Sequence, residues 1–252
     1  MTLPTIFIAH GSPMLLTDEA RVQGLADWAK ALPRPKAILM ISAHWEEKDL
    51  VIGATTPQPL IYDFYGFPEP LYRLQYPCPP APALADRVET LLAGVTPVRR
   101  NPARGYDHGT YVPLLCCYPE ADIPVLQIAM PDVSAAKMIE IGQALAPLRE
   151  EGVLIIGSGY ITHNMRMGFH NGGPRDWAAS FDAWVADVAV KKDAVAMADY
   201  RATAPGARES ADGHFLPLLF NFGASLPYDE PVTFPVEGFE YGSFSRRSVQ
   251  FG

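Results

Sequence analysis

Five of the six histidines, His10, His44, His108, His163 and His214, stand beside Gly or Ser or at the ends of apolar runs. Thr5-Ile-Phe-Ile-Ala9 leads into His10-Gly-Ser-Pro, Ala37 to Ala43 leads into His44-Trp45, and Val153 to Gly159 leads through Tyr160-Ile-Thr to His163-Asn164. His108 sits between Asp107 and Gly109 ahead of an apolar stretch, and His214 opens the apolar segment Phe215 to Gly223. Imidazoles delivered in this way point to metal binding. Neutral imidazole suits zinc, copper, iron and nickel, whereas calcium and magnesium need oxygen donors that are not gathered here.

The elements that must position these residues follow from periodicity. Asp18 to Leu32 has amphipathic helical spacing, with Val22, Leu25, Trp28 and Ala29 on one side and Pro33 as its stop. It links the His10 and His44 runs into a βαβ unit, and such crossovers join parallel strands. His10 and His44 are therefore expected at neighbouring strand ends on one edge of the sheet, roughly 5 to 10 Å apart. Further strands are expected at Val51 to Thr55, Pro97 to Arg100, Pro124 to Met130 and Val153 to Gly159. Helices are expected at Ala83 to Leu92, Ala135 to Glu150, Trp177 to Tyr200 in one piece or two, and after His214. Val232 to Phe244 and Ser248 to Phe251 alternate as an edge hairpin. The expected fold is one α/β domain over residues 1–252, with a mixed, largely parallel central sheet flanked by helices and the metal site at strand C-terminal ends.

Pro57 to Pro82 is a long Pro- and aromatic-rich loop, and loops of this length in a domain serve as lids or binding walls, or pack their own aromatics onto the surface. Phe64, Tyr65 and Tyr106 are the expected contacts for a flat aromatic substrate. His108 lies at a helix start, where the dipole favours neutral imidazole; an Asp-capped helix with a surface histidine is the other reading. His170, between glycines, reads as a solvated loop residue, and Lys191-Lys192-Asp193 as a solvated face.

Composition narrows the classes. A net charge of -8 and a pI near 5.2, with no dense Lys/Arg cluster, argue against nucleic acid. No apolar run approaches the ~20 residues of a membrane span, and the start lacks a signal-peptide pattern. Cys78, Cys116 and Cys117 are too few for a disulfide framework and read as reduced thiols, which fits the cytoplasm. Ser12 and Ser158 lie outside Gly-x-Ser-x-Gly, so a serine hydrolase ranks well below a metal enzyme. Gly157-Ser-Gly159 lacks the full dinucleotide or Walker pattern. Self-association into a homo-oligomer is compatible with the chain but not legible in it.

His10-Gly-Ser-Pro, Ser42-Ala-His44-Trp, Asp63-Phe-Tyr-Gly-Phe-Pro, Tyr106-Asp-His108-Gly, Gly159-Tyr-Ile-Thr-His163-Asn, His214-Phe-Leu-Pro-Leu-Leu and the terminal Gly242-Ser-Phe-Ser-x-x-Ser-Val-Gln-Phe-Gly together resemble the DOPA-dioxygenase branch of the class III extradiol ring-cleavage dioxygenases. The resemblance spans essentially the whole chain. It implies a mononuclear metal at strand ends, Fe(II) for activity, opening a catechol-type, DOPA-like substrate with O2. In the wider superfamily two histidines and a glutamate hold the iron. By motif position His10 and His44 match the histidines, while the carboxylate position falls at His214, a departure. Some members of the branch look like zinc proteins in which the residue matching His163 also binds, so the resemblance implies a metal set of His10, His44, His163 and His214 with Zn(II) as the other bound metal. It also implies His163 as general base and His108 as a hydrogen-bonding partner of the substrate. Arg73, Arg104 and Arg166 are the arginines available for a substrate carboxylate. Two other readings are a zinc protein on the same scaffold that binds a partner, whose branch resembles a two-histidine, one-cysteine site, and a zinc hydrolase.

Overall fold

The apolar runs that stand out in the sequence become the middle of one sheet. In the computed structural model, which describes residues 2–169, 172–210 and 213–252, β1 (Thr5–Ala9), β2 (Ala37–Glu47), β5 (Val125–Pro131) and β6 (Val153–Gly159) pair in parallel in the order β5-β2-β6-β1. On the β5 side the sheet continues through β3 (Leu50–Ile52), antiparallel to β5, and β4 (Val98–Arg100). On the β1 side it continues through β10 (Ser248–Phe251) and β7 (Val232–Val236), both pairings antiparallel. A separate two-stranded ladder joins β8 (Phe239–Glu240) to β9 (Phe244–Ser245).

Side chains that alternate along each central strand enter two different cores. Phe7, Leu39, Ile41, Val153 and Ile155 face one, and Ile6, Ile8, Ile38, Met40, Leu154 and Ile156 face the other. Period-two alternation with both faces apolar is why these runs read as continuously hydrophobic. Helices α2 (Pro82–Leu92), α4 (Ala135–Leu145), α5 (Asp176–Lys191) and α9 (Leu216–Ser225) cover the first face, and α1 (Glu19–Ala31) and α3 (His108–Cys117) the second. Three short helical turns, α6 (Ala194–Ala198), α7 (Tyr200–Thr203) and α8 (Ala207–Ser210), lie between α5 and α9. Asp18 caps α1 and Asp107 caps α3, each accepting the backbone N–H three residues on.

Three details differ from the expected arrangement. β6 is inserted between β1 and β2, so the strands of the first βαβ unit are not neighbours. β2 does not stop at His44 but runs on to Glu47, with its pairing to β5 interrupted between Ile41 and Glu46. That interruption lies where the imidazole leaves the ladder. The C-terminal pair is not an edge hairpin throughout: β7 is the edge, and β10 is interior between β7 and β1, with Val249 and Phe251 fully buried. His170 lies outside the described residues.

Candidate metal centre and substrate cavity

The parallel strands deliver their C-terminal ends to one place. His10 follows β1, His44 sits in the last third of β2, and the segment after β6 carries Tyr160 and His163. His10 and His44 converge across the intervening β6, with Nε2 atoms 3.2 Å apart and ring centroids 4.9 Å apart. His214 joins them from the 3-10 turn ahead of α9. One nitrogen from each of His10, His44 and His214 lies within 4.8 Å of the other two.

Hydrogen bonds set which nitrogen of each ring is available. The Ser158 hydroxyl donates its single hydrogen to the Gly109 carbonyl, so toward His10 Nδ1, 2.9 Å away, it must accept. His10 is thereby the Nδ1–H tautomer, with a bare Nε2 aimed at His44. Asp63 does the same for two rings. Its Oδ1 accepts from the His108 backbone N–H at 3.1 Å and from His108 Nδ1 at 2.8 Å, and its Oδ2 lies 3.3 Å from His44 Nδ1. Burial alone would raise the Asp63 carboxyl, but the His108 bonds outweigh it and hold the group below its usual value. As an anion it only accepts, so His44 and His108 also carry hydrogen on Nδ1 and turn Nε2 away from it. A hydroxyl behind His10 and a carboxylate behind His44 and His108 are the kind of partner that orients metal-binding histidines.

Desolvation, reinforced by the neighbouring imidazoles, pushes His10 well below the ordinary histidine value and His44 down to about 2. Both rings are neutral at physiological pH, the form that binds a metal. The donor set is three imidazole nitrogens, which fits a borderline divalent ion and not a hard-cation oxygen cage. A second group of donors, His44, Asp63 and His108, shares His44 with the first.

His163 lies outside both sets. Its ring stacks on His214 with centroids 3.7 Å apart and planes 17° apart, and on Phe244 at 4.8 Å and 18°. A metal lies close to the plane of each imidazole that binds it, and two nearly parallel stacked planes do not meet at one nearby ion. His163 is therefore grouped by its ring contacts with His214 and Phe244, while the nitrogens that converge within 4.8 Å come from His10, His44 and His214.

Placement of the other expected residues is mixed. Phe64 lines the cavity with its ring 5.9 Å from that of His108, perpendicular to it. Tyr65, the next residue, is 92 % exposed and turned away. Tyr106 is buried in the second core, where its hydroxyl donates to the Val125 carbonyl, so it is a structural residue beneath the site and not a wall of it. Asp63, Ser158 and Tyr160 carry much of the geometry yet are not singled out by their types in the sequence. Asp63 and Tyr160 stand inside motifs of the sequence, but the parts these three play come from their adjacency to the expected ligands in space. Ser158 is committed to Gly109 and His10, and Ser12 caps the following 3-10 turn, so neither is set up as a nucleophile. The three thiols are buried and pushed upward, Cys116 to about 12, and none lies in a donor set.

The imidazoles open into a cavity of about 360 Å³ lined by Phe64, Phe67, Tyr160, Phe244 and Glu240 as well as the five histidines. Met14, Met165, Phe169 and Tyr241 form an exposed apolar rim at its mouth. The volume suits one aromatic ring with a short side chain. A depression of about 410 Å³ around Glu46, Lys48 and Asp132 holds no imidazole and lies apart from this chemistry.

The description of the catalytic LigB subunit of aromatic ring-opening dioxygenases matches residues 4–251. The chain belongs to the LigB family. It is an enzyme of the extradiol ring-opening type. It is 39 % identical over 258 residues to the 4,5-DOPA dioxygenase extradiol of Escherichia coli (strain K12), covering 99 % of this chain and 95 % of that one. It is 40 % identical over 236 residues to the protein of the same name from Beta vulgaris, covering 88 % and 86 %. A crystal structure of an uncharacterized protein from Escherichia coli K12 superposes with a TM-score of 0.83 at 36 % identity, covering 99 % of this chain and 100 % of that one. LigB membership implies a metal, and the three converging imidazole nitrogens suit one. Among the described residues, no helix is long and apolar enough to cross a membrane.

Proposed function

We propose that this LigB-family chain opens the ring of a catechol bearing a short, DOPA-like side chain, with dioxygen as co-substrate and Fe(II) held by His10, His44 and His214. The observation that carries the reading is the convergence of three imidazoles, two with an oxygen acceptor beside Nδ1, at the floor of an aromatic cavity. When bound, the iron supplies Lewis acidity toward the catechol oxygens and the redox chemistry that dioxygen requires.

The remaining steps belong to the chain's own residues. His163, stacked between His214 and Phe244, removes a proton from a catechol hydroxyl and returns one later, as general base and then general acid. His108, held on Nδ1 by Asp63, presents Nε2 to the same cavity and orients the substrate by a hydrogen bond. Phe64, Phe67 and Phe244 sandwich the ring and exclude water. Asp63 and Ser158 keep the ligand rings in one tautomer.

The experiment is anaerobic reconstitution of metal-free protein with Fe(II) or Zn(II), followed by air and a panel of catechols that includes 4-methylcatechol and DOPA. A yellow ring-opened product with iron alone is expected, because zinc has no redox chemistry to offer dioxygen. Stoichiometric metal binding without product from any catechol overturns the reading.

A further inference from the structure

Glu240 is the only Asp, Glu, Lys or Arg among the described residues that line the cavity. Its side chain is 18 % exposed, and it is tied in place from behind: Tyr160 Oη–H donates to Oε1, and Arg21 Nη1 donates to Oε2 at 2.8 Å. Each carboxylate oxygen accepts more than one hydrogen bond, so these two donors leave acceptor capacity on Glu240. Arg21 is not a lining residue; it reaches Glu240 from α1 on the outer side. The Tyr160 ring lies between the carboxylate it holds and the imidazole cluster, edge-on to His10 at 5.4 Å and 5.5 Å from His163.

The complementary observation concerns cations. The arginines that stand nearest the site motifs in the sequence are all placed elsewhere. Arg73 is exposed and paired with Glu69 at 2.6 Å. Arg104 binds Asp107 and the His44 carbonyl and covers Trp45. Arg166 is exposed and lines no part of the cavity. Besides the imidazoles of the metal centre, a substrate carboxylate entering the cavity meets aromatic faces, methionines and a carboxylate that Arg21 holds from behind, with no Lys or Arg among the described lining residues. A substrate ammonium meets an anchored carboxylate and the faces of Tyr160, Tyr241 and Phe244, which attract cations.

We infer that Glu240 is a specificity residue that receives the ammonium group of the catechol's side chain, so that the site selects amine-bearing catechols over carboxylate-bearing ones. An amino-acid side chain then docks by its amine and leaves its carboxylate to solvent at the mouth. The inference rests on the catechol reading above and adds the class of side chain.

The test is calorimetric titration of the Zn(II)-loaded protein, in which no turnover competes, with dopamine, 3-(3,4-dihydroxyphenyl)propionate and 4-methylcatechol at one pH. Dopamine is expected to bind about ten-fold or more tighter than the propionate, with 4-methylcatechol between them. In Glu240→Gln the ratio of the two charged ligands is expected to shrink to within about three-fold. A wild-type protein that binds the propionate as tightly as dopamine overturns the inference, whatever the variant does, and so does a folded Glu240→Gln that keeps the wild-type ratio. Binding of 4-methylcatechol in either case leaves the catechol reading standing. Failure of all three ligands removes that reading and the inference together.

Discussion

Asp63 Oδ1 lies 2.8 Å from His108 Nδ1, and the other oxygen of the same carboxylate lies 3.3 Å from His44 Nδ1. One residue of the aromatic loop therefore orients an imidazole at the start of α3 and another at the end of β2. Asp63→Asn keeps the size but loses the charge and sets an NH2 donor against the Nδ1–H of one of the two rings. Zinc affinity, measured by competition with a chromophoric chelator, is expected to fall about 10- to 100-fold with the far-UV spectrum unchanged. A variant with wild-type affinity would show that the carboxylate does not position the ligands.

Gly159 is the last residue of β6, and a Cβ there would run into the carbonyl of His214, which itself accepts a hydrogen bond from the Tyr160 N–H at 2.9 Å. The obstacle is backbone, so relief requires moving the His214 turn. Gly159→Ala is expected to lower stability by about 1–3 kcal/mol and to reduce metal binding together with it. Equilibrium urea unfolding with metal stoichiometry on the same preparation checks both. Unchanged stoichiometry at full loading and unchanged unfolding midpoint would mean that the turn yields without cost.

His10 and His44 are depressed in the fold, while in the unfolded chain they titrate near the ordinary histidine value of about 6.5. Below that pH the unfolded state binds more protons than the folded one, so stability rises with pH. The metal-free protein is expected to hold its stability above about pH 7 and to lose it progressively as the pH falls below about 6, the slope from these two rings together approaching about 3 kcal/mol per pH unit at most. Urea unfolding of the chelator-treated protein between pH 8 and 5 measures the slope. A flat profile across that window would contradict the depressed values.

Arg149 is fully buried, with Nε donating to the Leu3 carbonyl at 2.7 Å, Nη1 to the Ala224 carbonyl at 3.1 Å and Nη2 to Glu230 and the Phe251 carbonyl. It joins the entry to β1, the end of α9 and the end of β10. Arg149→Met leaves three carbonyls and one carboxylate without their donor, and a loss of about 3–5 kcal/mol is expected in chemical denaturation. A loss under about 1 kcal/mol would mean that water replaces the guanidinium without penalty.

Much of the site is legible in the chain because β1, β2 and β6 are unbroken apolar runs and the histidines follow them directly. What periodicity does not carry is strand order. Nothing local to Thr5–Ala9 or Ala37–Glu47 says that Val153–Gly159 lies between them, since the pairing is decided by side-chain fit over more than a hundred residues. Tyr65 and Tyr106 show a second limit. Aromatics in a loop or before a helix look alike in sequence, yet one points to solvent and the other donates a hydrogen bond inside the core. Asp63 shows a third, because a single carboxylate among loop aromatics acquires its role only when the loop folds over His44 and His108.

The pairing of Thr5 with Phe251 places nearly the whole chain between two adjacent strands. Until residues 248–251 have been made, the strand that leads to His10 has an open edge and an apolar face without its final neighbour. This closure over a very long loop gives the protein a high contact order, which predicts slow folding and a nascent chain prone to pairing with the wrong edge.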